Sequence, residues 1–121
     1  MNIENIREYC LLKPEVTEGF PFDETSLVFK VNSKMFAILS LDSPLSINLK
    51  CEPDEAIALR ERYHFVLPGY HMNKQHWNTV RLEEFPDESL IKKWIDDSYS
   101  LIVLKLKRIN RERILAQMER Q

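Results

Sequence analysis

Glycine and cysteine are scarce in this chain of 121 residues. Gly19 and Gly69 are its only glycines. A loop that cradles a phosphate through backbone N–H groups needs several glycines within a few residues, so this type of nucleotide site is excluded. Cys10 and Cys51 are far apart in sequence and form no Cys-x-x-Cys pair. We therefore expect each cysteine to be a small buried hydrophobe rather than a redox residue.

Long apolar runs are also lacking. The longest, such as Met35–Leu39 and Leu101–Leu104, are far shorter than the roughly 20 residues that cross a bilayer. The N-terminus has an acidic, helical pattern without the apolar region of a signal peptide. The composition, 44% hydrophobic and 30% charged, is typical of a globular protein and predicts one domain over residues 1–121. We expect a cytoplasmic protein that does not bind membranes.

The spacings that identify a metal site or a nucleophile are missing as well. His71 and His76 are five residues apart and share neither a helical nor a strand face, and no acidic residue lies between His64 and Glu83. No glycine-framed serine marks a nucleophile, although a catalytic triad is assembled in space rather than in sequence. We expect no metal, no cofactor and no catalytic activity.

Hydrophobic periodicity is the strongest signal that the chain does contain. It predicts helices over 3–12, 53–63 and 87–106, and strands over 16–22, 27–31, 35–39, 45–51, 65–67 and 77–82. Runs of strands with flanking helices are typical of an α+β fold. We therefore predict an antiparallel β-sheet with helices packed on one side, including an N-terminal helix and a long C-terminal helix.

One strand shows which of its faces is exposed. Residues 45–51 alternate strictly, with apolar side chains on one face and Ser46, Asn48 and Lys50 on the other. This alternation is typical of a half-buried antiparallel strand. The polar face is a candidate binding surface.

The segment Gly69–Val80 combines two histidines, two asparagines, a lysine, a tyrosine and a tryptophan. Aromatic faces interleaved with hydrogen-bond donors and a cation suit base stacking and phosphate contact. The same residue types also stabilise turns: Asn73 suits a left-handed conformation, and His71 can cap backbone groups. Trp77 can be a core residue. Both a contact surface and a structural turn are compatible with these residues.

The C-terminal segment is basic. Residues 105–121 contain six basic and two acidic residues, a local charge of +4, which leaves −6 for the rest of a chain whose net charge is −2. Such asymmetry is typical of a solvated terminal helix or of a tail that binds an acidic partner. We expect residues 106–121 to extend the last helix or to fray.

The segment Pro68–Val80 resembles the MmcQ/YjbR family of small bacterial proteins. The family pattern is also present in Thr17–Phe22, Val28–Val31, Lys34–Ala37, Asn48–Cys51 and the final helix at Trp94, Ile95, Ser98, Tyr99 and Leu101. The resemblance covers nearly the whole domain, up to about Leu106.

The resemblance implies a frataxin-like α+β fold, which has also been described as a double wing. Members of the family are commonly labelled DNA-binding on that structural analogy. Two positions depart from the family pattern. Asn32 and Ser33 replace a glycine-containing hairpin turn, and Gln75 stands where a second lysine is common, which leaves Lys74 as the only lysine of its loop.

We therefore predict a monomeric DNA-binding or regulatory protein without catalytic activity, with double-stranded DNA as its partner. The predicted contact residues are Lys50, His71, Asn73, Lys74, His76 and Asn78, with Lys30 and Lys34 of the hairpin as secondary phosphate contacts. One alternative is a protein-interaction module that uses the exposed sheet face or the basic tail. Another is a small-ligand binder or enzyme with its pocket at the His71–Asn78 loop.

Overall fold

The computed structural model describes residues 2–84 and 86–121. Its elements in chain order are α1 (Ile3–Leu11), β1 (Val16–Gly19), β2 (Ser26–Val31), β3 (Lys34–Ser40), β4 (Ser46–Lys50), α2 (Pro53–Arg62), β5 (Val66–Pro68), β6 (Trp77–Arg81), a 3-10 turn (Leu82–Glu84), α3 (Glu88–Leu104) and α4 (Arg108–Glu119). The six strands form one antiparallel sheet in the order β1-β2-β3-β4-β6-β5. The predicted α+β class with an antiparallel sheet is confirmed. None of the helices in this part of the chain is long and apolar enough to cross a membrane.

Local capping determines where the helices begin. The side chain of Asn2 accepts a hydrogen bond from the Asn5 N–H at 2.8 Å, and that of Asp87 accepts one from the Ser89 N–H at 2.7 Å. These contacts satisfy backbone donors that have no partner within the helix. Helix α2 begins at Pro53, where the missing N–H of proline costs no helical hydrogen bond.

The hairpin between β2 and β3 turns through two residues. Asn32 and Ser33 both have a positive φ, 49° and 65°, as a tight two-residue hairpin requires. A β-bulge follows, because Phe29 pairs with Ala37 whereas Lys30 pairs with Met35, which leaves Phe36 as the extra residue.

Ser98 of α3 fills the gap that the bulge opens in the sheet. Its Oγ accepts the Lys50 N–H at 2.9 Å and donates to the Phe36 carbonyl at 2.5 Å. One buried hydroxyl thus bridges two backbone groups on neighbouring strands, and it fixes α3 against the sheet at this point.

The core lies between the sheet and the helices. Leu39, Ile47, Val80 and Val66 are register partners across four strands, and all four are buried. Helix α3 covers them with the apolar stripe that the sequence predicts, and its Tyr99 hydroxyl donates to the buried Pro14 carbonyl at 2.7 Å. Ile47 and Leu49, the apolar residues of β4, point toward this core, as the alternation predicts.

The basic C-terminal segment forms a helix of its own. The sequence predicts an extended or frayed helix over 106–121, whereas α3 ends at Leu104 and α4 packs back on the domain. Ile114 is 0% exposed, and the Glu15 carboxylate accepts hydrogen bonds from Arg113 and Gln117. The segment is therefore docked, and its apolar and polar contacts reach the turn after α1.

Candidate nucleic-acid interface

We call the sheet surface that faces away from the helices the open face. Strand alternation assigns to it the predicted polar residues Ser46, Asn48 and Lys50 of β4, all half-buried. Their register partners Arg81, Thr79 and Trp77 of β6 share this face.

Positive charge predominates on the open face. Among the strand residues, all of which the structure describes, Lys30, Lys50 and Arg81 point to this face and no carboxylate does. Glu18 of β1 points to the opposite face, where its carboxylate accepts a hydrogen bond from the Arg7 Nε at 2.7 Å. The strands therefore separate their charges between the two sides of the sheet.

Four lysines gather at the hairpin end of the sheet. Lys30 and Lys34 flank the β2–β3 turn, Lys50 ends β4 beside them, and Lys105 follows the last turn of α3. Among the described residues, none of the four takes part in an ion pair. We call Lys30, Lys34, Lys50 and Lys105 the basic end.

The electrostatic environment of Lys50 includes two of these charges. Burial lowers the pKa of its ammonium, and the neighbouring charges of Lys105 and Lys34 lower it further, while Glu52 partly opposes them. Lys105 is not among the predicted contact residues, because two helices and two strands separate it from Lys50 in sequence and only the fold brings the two together.

The predicted loop, residues 69–76, follows β5 at this same end. Its first residue must be glycine for steric reasons, since a Cβ on Gly69 would lie 2.8 Å from the Trp77 Cβ and 2.9 Å from its carbonyl oxygen. The Gly69 N–H in turn donates to that carbonyl at 2.9 Å. Gly69 therefore closes the loop at its base.

Several polar side chains of the loop stabilise the loop itself. The Lys74 Nζ donates to the Gly69 carbonyl at 3.0 Å, and the Asn73 Oδ1 accepts the Gln75 N–H at 2.9 Å. Arg60 of α2 donates to the Lys74 carbonyl at 3.2 Å. Lys74, the only lysine of the loop, thus has an intramolecular partner, and a ligand phosphate would have to compete with it.

Two hydrogen bonds attach the loop to the open face, and a third joins their two partners within the sheet. The Thr79 Oγ1 accepts the Tyr70 N–H at 2.9 Å and donates to the Asn48 Oδ1 at 2.5 Å. The Asn48 Nδ2 then donates to the Tyr70 carbonyl at 3.3 Å. We call this arrangement the Asn48–Tyr70–Thr79 triangle. It places the polar face of β4 directly beside the loop.

The remaining predicted residues separate into two groups. His71 has a positive φ of 59°, is exposed, and lies against Tyr70 with 4.0 Å between the ring centroids. His76 is half-buried, and its carbonyl accepts the Cys51 N–H at 2.7 Å. Asn78 is 3% exposed and points to the helix side, where its Nδ2 donates to the Ala56 carbonyl at 3.3 Å. Asn78 therefore lies on the opposite side of the sheet from the open face.

The YjbR family model matches residues 11–101 of the chain. The chain belongs to the YjbR family. It is 35% identical to the uncharacterized protein YbdF of Escherichia coli O157:H7 over 112 residues, which is 92% of each chain. It is 32% identical to the uncharacterized protein YjbR of Escherichia coli K12 over 104 residues, 85% of this chain and 88% of that one.

A solved structure supports the same assignment. The chain superposes on the crystal structure of protein DR2400 of Deinococcus radiodurans with a TM-score of 0.87 and 33% sequence identity. The match covers 93% of this chain and 87% of that chain. The α+β fold class and the family expected from residues 68–80 are thus confirmed.

Proposed function

We propose that this YjbR-family protein binds the phosphate backbone of duplex DNA through its basic end and the adjoining open face. The observation that carries the proposal is the gathering of Lys30, Lys34, Lys50 and Lys105 without ion-pair partners in the described part of the chain. Burial is the main cause of the lowered Lys50 pKa, and repulsion from Lys105 and Lys34 adds to it. A shared polyanion relieves that repulsion, because each phosphate places a negative charge beside the lysines.

The aromatic residue beside Lys50 on the open face, Trp77, is 8% exposed and cannot serve as a stacking platform for single strands. Exposed rings lie elsewhere on this surface, since Phe20 borders the same groove as Lys30 and is 50% exposed, and Tyr70 of the loop is 69% exposed. The proposal of a duplex therefore rests on phosphate contacts of the cations. Contacts of this kind position a protein on DNA without reading its sequence, so we expect weak sequence preference.

The net charge of −2 does not by itself oppose this function. Glu52 offsets part of the charge repulsion at Lys50, but other carboxylates are engaged elsewhere. Glu18 lies on the helix side of the sheet, and Glu88 and Asp97 of α3 pair with lysines of the same helix. The local potential at the basic end, rather than the net charge, determines whether a polyanion approaches.

The salt dependence of DNA binding tests the proposal. With four phosphate contacts, the slope of log K against log salt is about −3.6, which corresponds to a loss of roughly 150-fold in affinity between 50 and 200 mM salt. Lys50→Ala removes one contact and changes the slope to about −2.7. Fluorescence anisotropy with a labelled duplex at several salt concentrations measures both slopes.

Lys92→Ala is the matched control, since Lys92 lies on α3 on the other side of the sheet and pairs with Glu88 at 3.2 Å. We expect it to leave the slope unchanged. Absence of binding at 50 mM salt, or equal slopes for the Lys50 and Lys92 variants, contradicts the proposal.

A further inference from the structure

A crevice runs between α2 and α3 on the helix side of the sheet. Its inner chamber is lined by apolar side chains of β4, β6 and the two helices, including Leu49, Val80 and Trp94. The chamber is small: the centre of a water-sized group can move within about 20 Å³. Its outer chamber, about 270 Å³, is bordered by Leu101 and Leu104. The residues common to both chambers are Cys51, Glu55 and Asp97.

Asn78 gives the inner chamber an unused acceptor. The residue is 3% exposed, and its Nδ2 is committed to the Ala56 carbonyl of α2. Its Oδ1 is buried and accepts no hydrogen bond from any of the residues 2–84 and 86–121. A buried carbonyl oxygen without a donor is unfavourable, so a group that enters this chamber is stabilised if it carries an N–H or O–H.

The mouth of the inner chamber is acidic. Glu55 comes from α2 and Asp97 from α3, and Glu52 lies beside them at the outer chamber. Burial, followed by the charges of Glu55, Asp97 and Glu52, raises the pKa of the Cys51 thiol to about 11. The raised pKa disfavours the thiolate form of Cys51. The negative charge at the mouth comes from the carboxylates, and the Lys93 ammonium on the surface of α3 offsets part of it.

We propose that the crevice binds a primary alkylammonium ion. The ammonium group enters the inner chamber, donates to the Asn78 Oδ1 and lies near the carboxylates of Glu55 and Asp97. The alkyl chain extends through the outer chamber against Leu101 and Leu104, which is 57% exposed and available for contact.

The size and chemistry of the chambers select this class of cation. An –NH3+ group is comparable to one water molecule, the size that the inner chamber admits, whereas a guanidinium or a quaternary ammonium is larger. No three ligating side chains in the described ranges are close enough to hold a metal ion.

The chain itself shows that Asp97 accepts an ammonium. The Lys93 Nζ lies 2.7 Å from the Asp97 Oδ2 on the surface of α3, and both side chains are more than half exposed. Such a pair is weak enough to exchange for a better-held cation. Lys50 borders the inner chamber too, but strand alternation directs its side chain to the open face.

An NMR titration of the full chain with n-butylammonium chloride tests the proposal. The resonances followed are the Asn78 side-chain amide and the Trp94 indole N–H, and n-butanol and sodium chloride at matched concentrations serve as reference ligands. We expect saturable shifts at both side chains, with n-butylammonium binding at least about tenfold more tightly than n-butanol because a charged donor is much stronger than a hydroxyl.

Paired variants separate a specific site from a general charge effect. Glu55→Gln combined with Asp97→Asn is expected to weaken n-butylammonium binding about tenfold. Glu61→Gln combined with Glu88→Gln removes the same charge from α2 and α3 outside the crevice, and it should leave the affinity unchanged. Lys93→Ala should tighten binding, since it frees Asp97, and loss of folding cannot produce a gain in affinity.

Three results overturn the proposal. The first is a shift that grows linearly without saturation, and the second is equal affinity for n-butylammonium and n-butanol. The third is an equal loss of n-butylammonium affinity in the crevice double variant and in the control double variant.

Discussion

Ser98→Ala should lower the free energy of unfolding more than the removal of any other single hydroxyl group in α3. The hydroxyl is 0% exposed and bridges the Lys50 N–H and the Phe36 carbonyl across the bulge. Its removal leaves a backbone donor and a backbone acceptor without partners, and each costs about 1–3 kcal/mol when buried. Because Lys50 is half-buried, water partly satisfies its N–H, so we expect a total loss of about 2–4 kcal/mol.

Urea unfolding measures this loss. For a small domain with an m-value of about 2 kcal/mol/M, a loss of about 3 kcal/mol lowers the midpoint by roughly 1.5 M without a change in m. Ser100→Ala is the control, because Ser100 is on the same helix, half-exposed, and has no such bridging role. A midpoint for Ser98→Ala within about 0.3 M of the Ser100→Ala value would refute the assignment of the hydroxyl as a bridge.

Two further predictions concern stability. Gly69→Ala places a Cβ within 3 Å of two atoms of Trp77 in the facing strand, so it should lower the free energy of unfolding by about 1–3 kcal/mol. Gly19→Ala is the control and should have a much smaller effect, because no atom lies within 4 Å of the added Cβ. The melting temperatures of the two variants test this difference. The hydrogen bond from Arg113 lowers the pKa of the Glu15 carboxylate. Glu15 therefore takes up a proton less readily in the folded state than in the unfolded state. The stability that this pair contributes, about 0.5–1 kcal/mol, is present above about pH 5 and is lost as the pH falls through the folded-state pKa. Glu15→Gln should therefore be less stable than the wild type at pH 7 and approach it near pH 3, and a constant difference across that range would contradict the role of the ion pair.

The elements of the fold follow from the sequence where one face of each is buried. Strict alternation in β4 identifies both of its faces, and the Asp87 cap marks the start of α3. The continuous apolar run in β3 hides its bulge, because Phe36 and Ala37 both lie in the core and no alternation is left to show the extra residue. The first two residues of β6 reverse the usual pattern: Trp77 faces away from the helices, while the polar Asn78 faces them.

The candidate site was less predictable for a related reason. Asn78 is polar on the core side, where its amide donates to the Ala56 carbonyl of α2, a contact that only the tertiary structure creates. Lys34 and Lys50 were predictable from strand ends and alternation, but Lys105 joins them through the packing of α3 on the sheet. Residue type therefore indicates which chemistry is available, and the topology decides which residues share a surface.

The Asn48–Tyr70–Thr79 triangle has a consequence for the speed and strength of recognition. A loop of eight residues that became ordered only on binding would lose conformational entropy at that moment and weaken the complex. Here three hydrogen bonds and the Gly69 closure order the loop in the free protein. If the open face binds DNA as we propose, the loop does not have to become ordered on binding, and we expect association to depend on approach and charge more than on rearrangement.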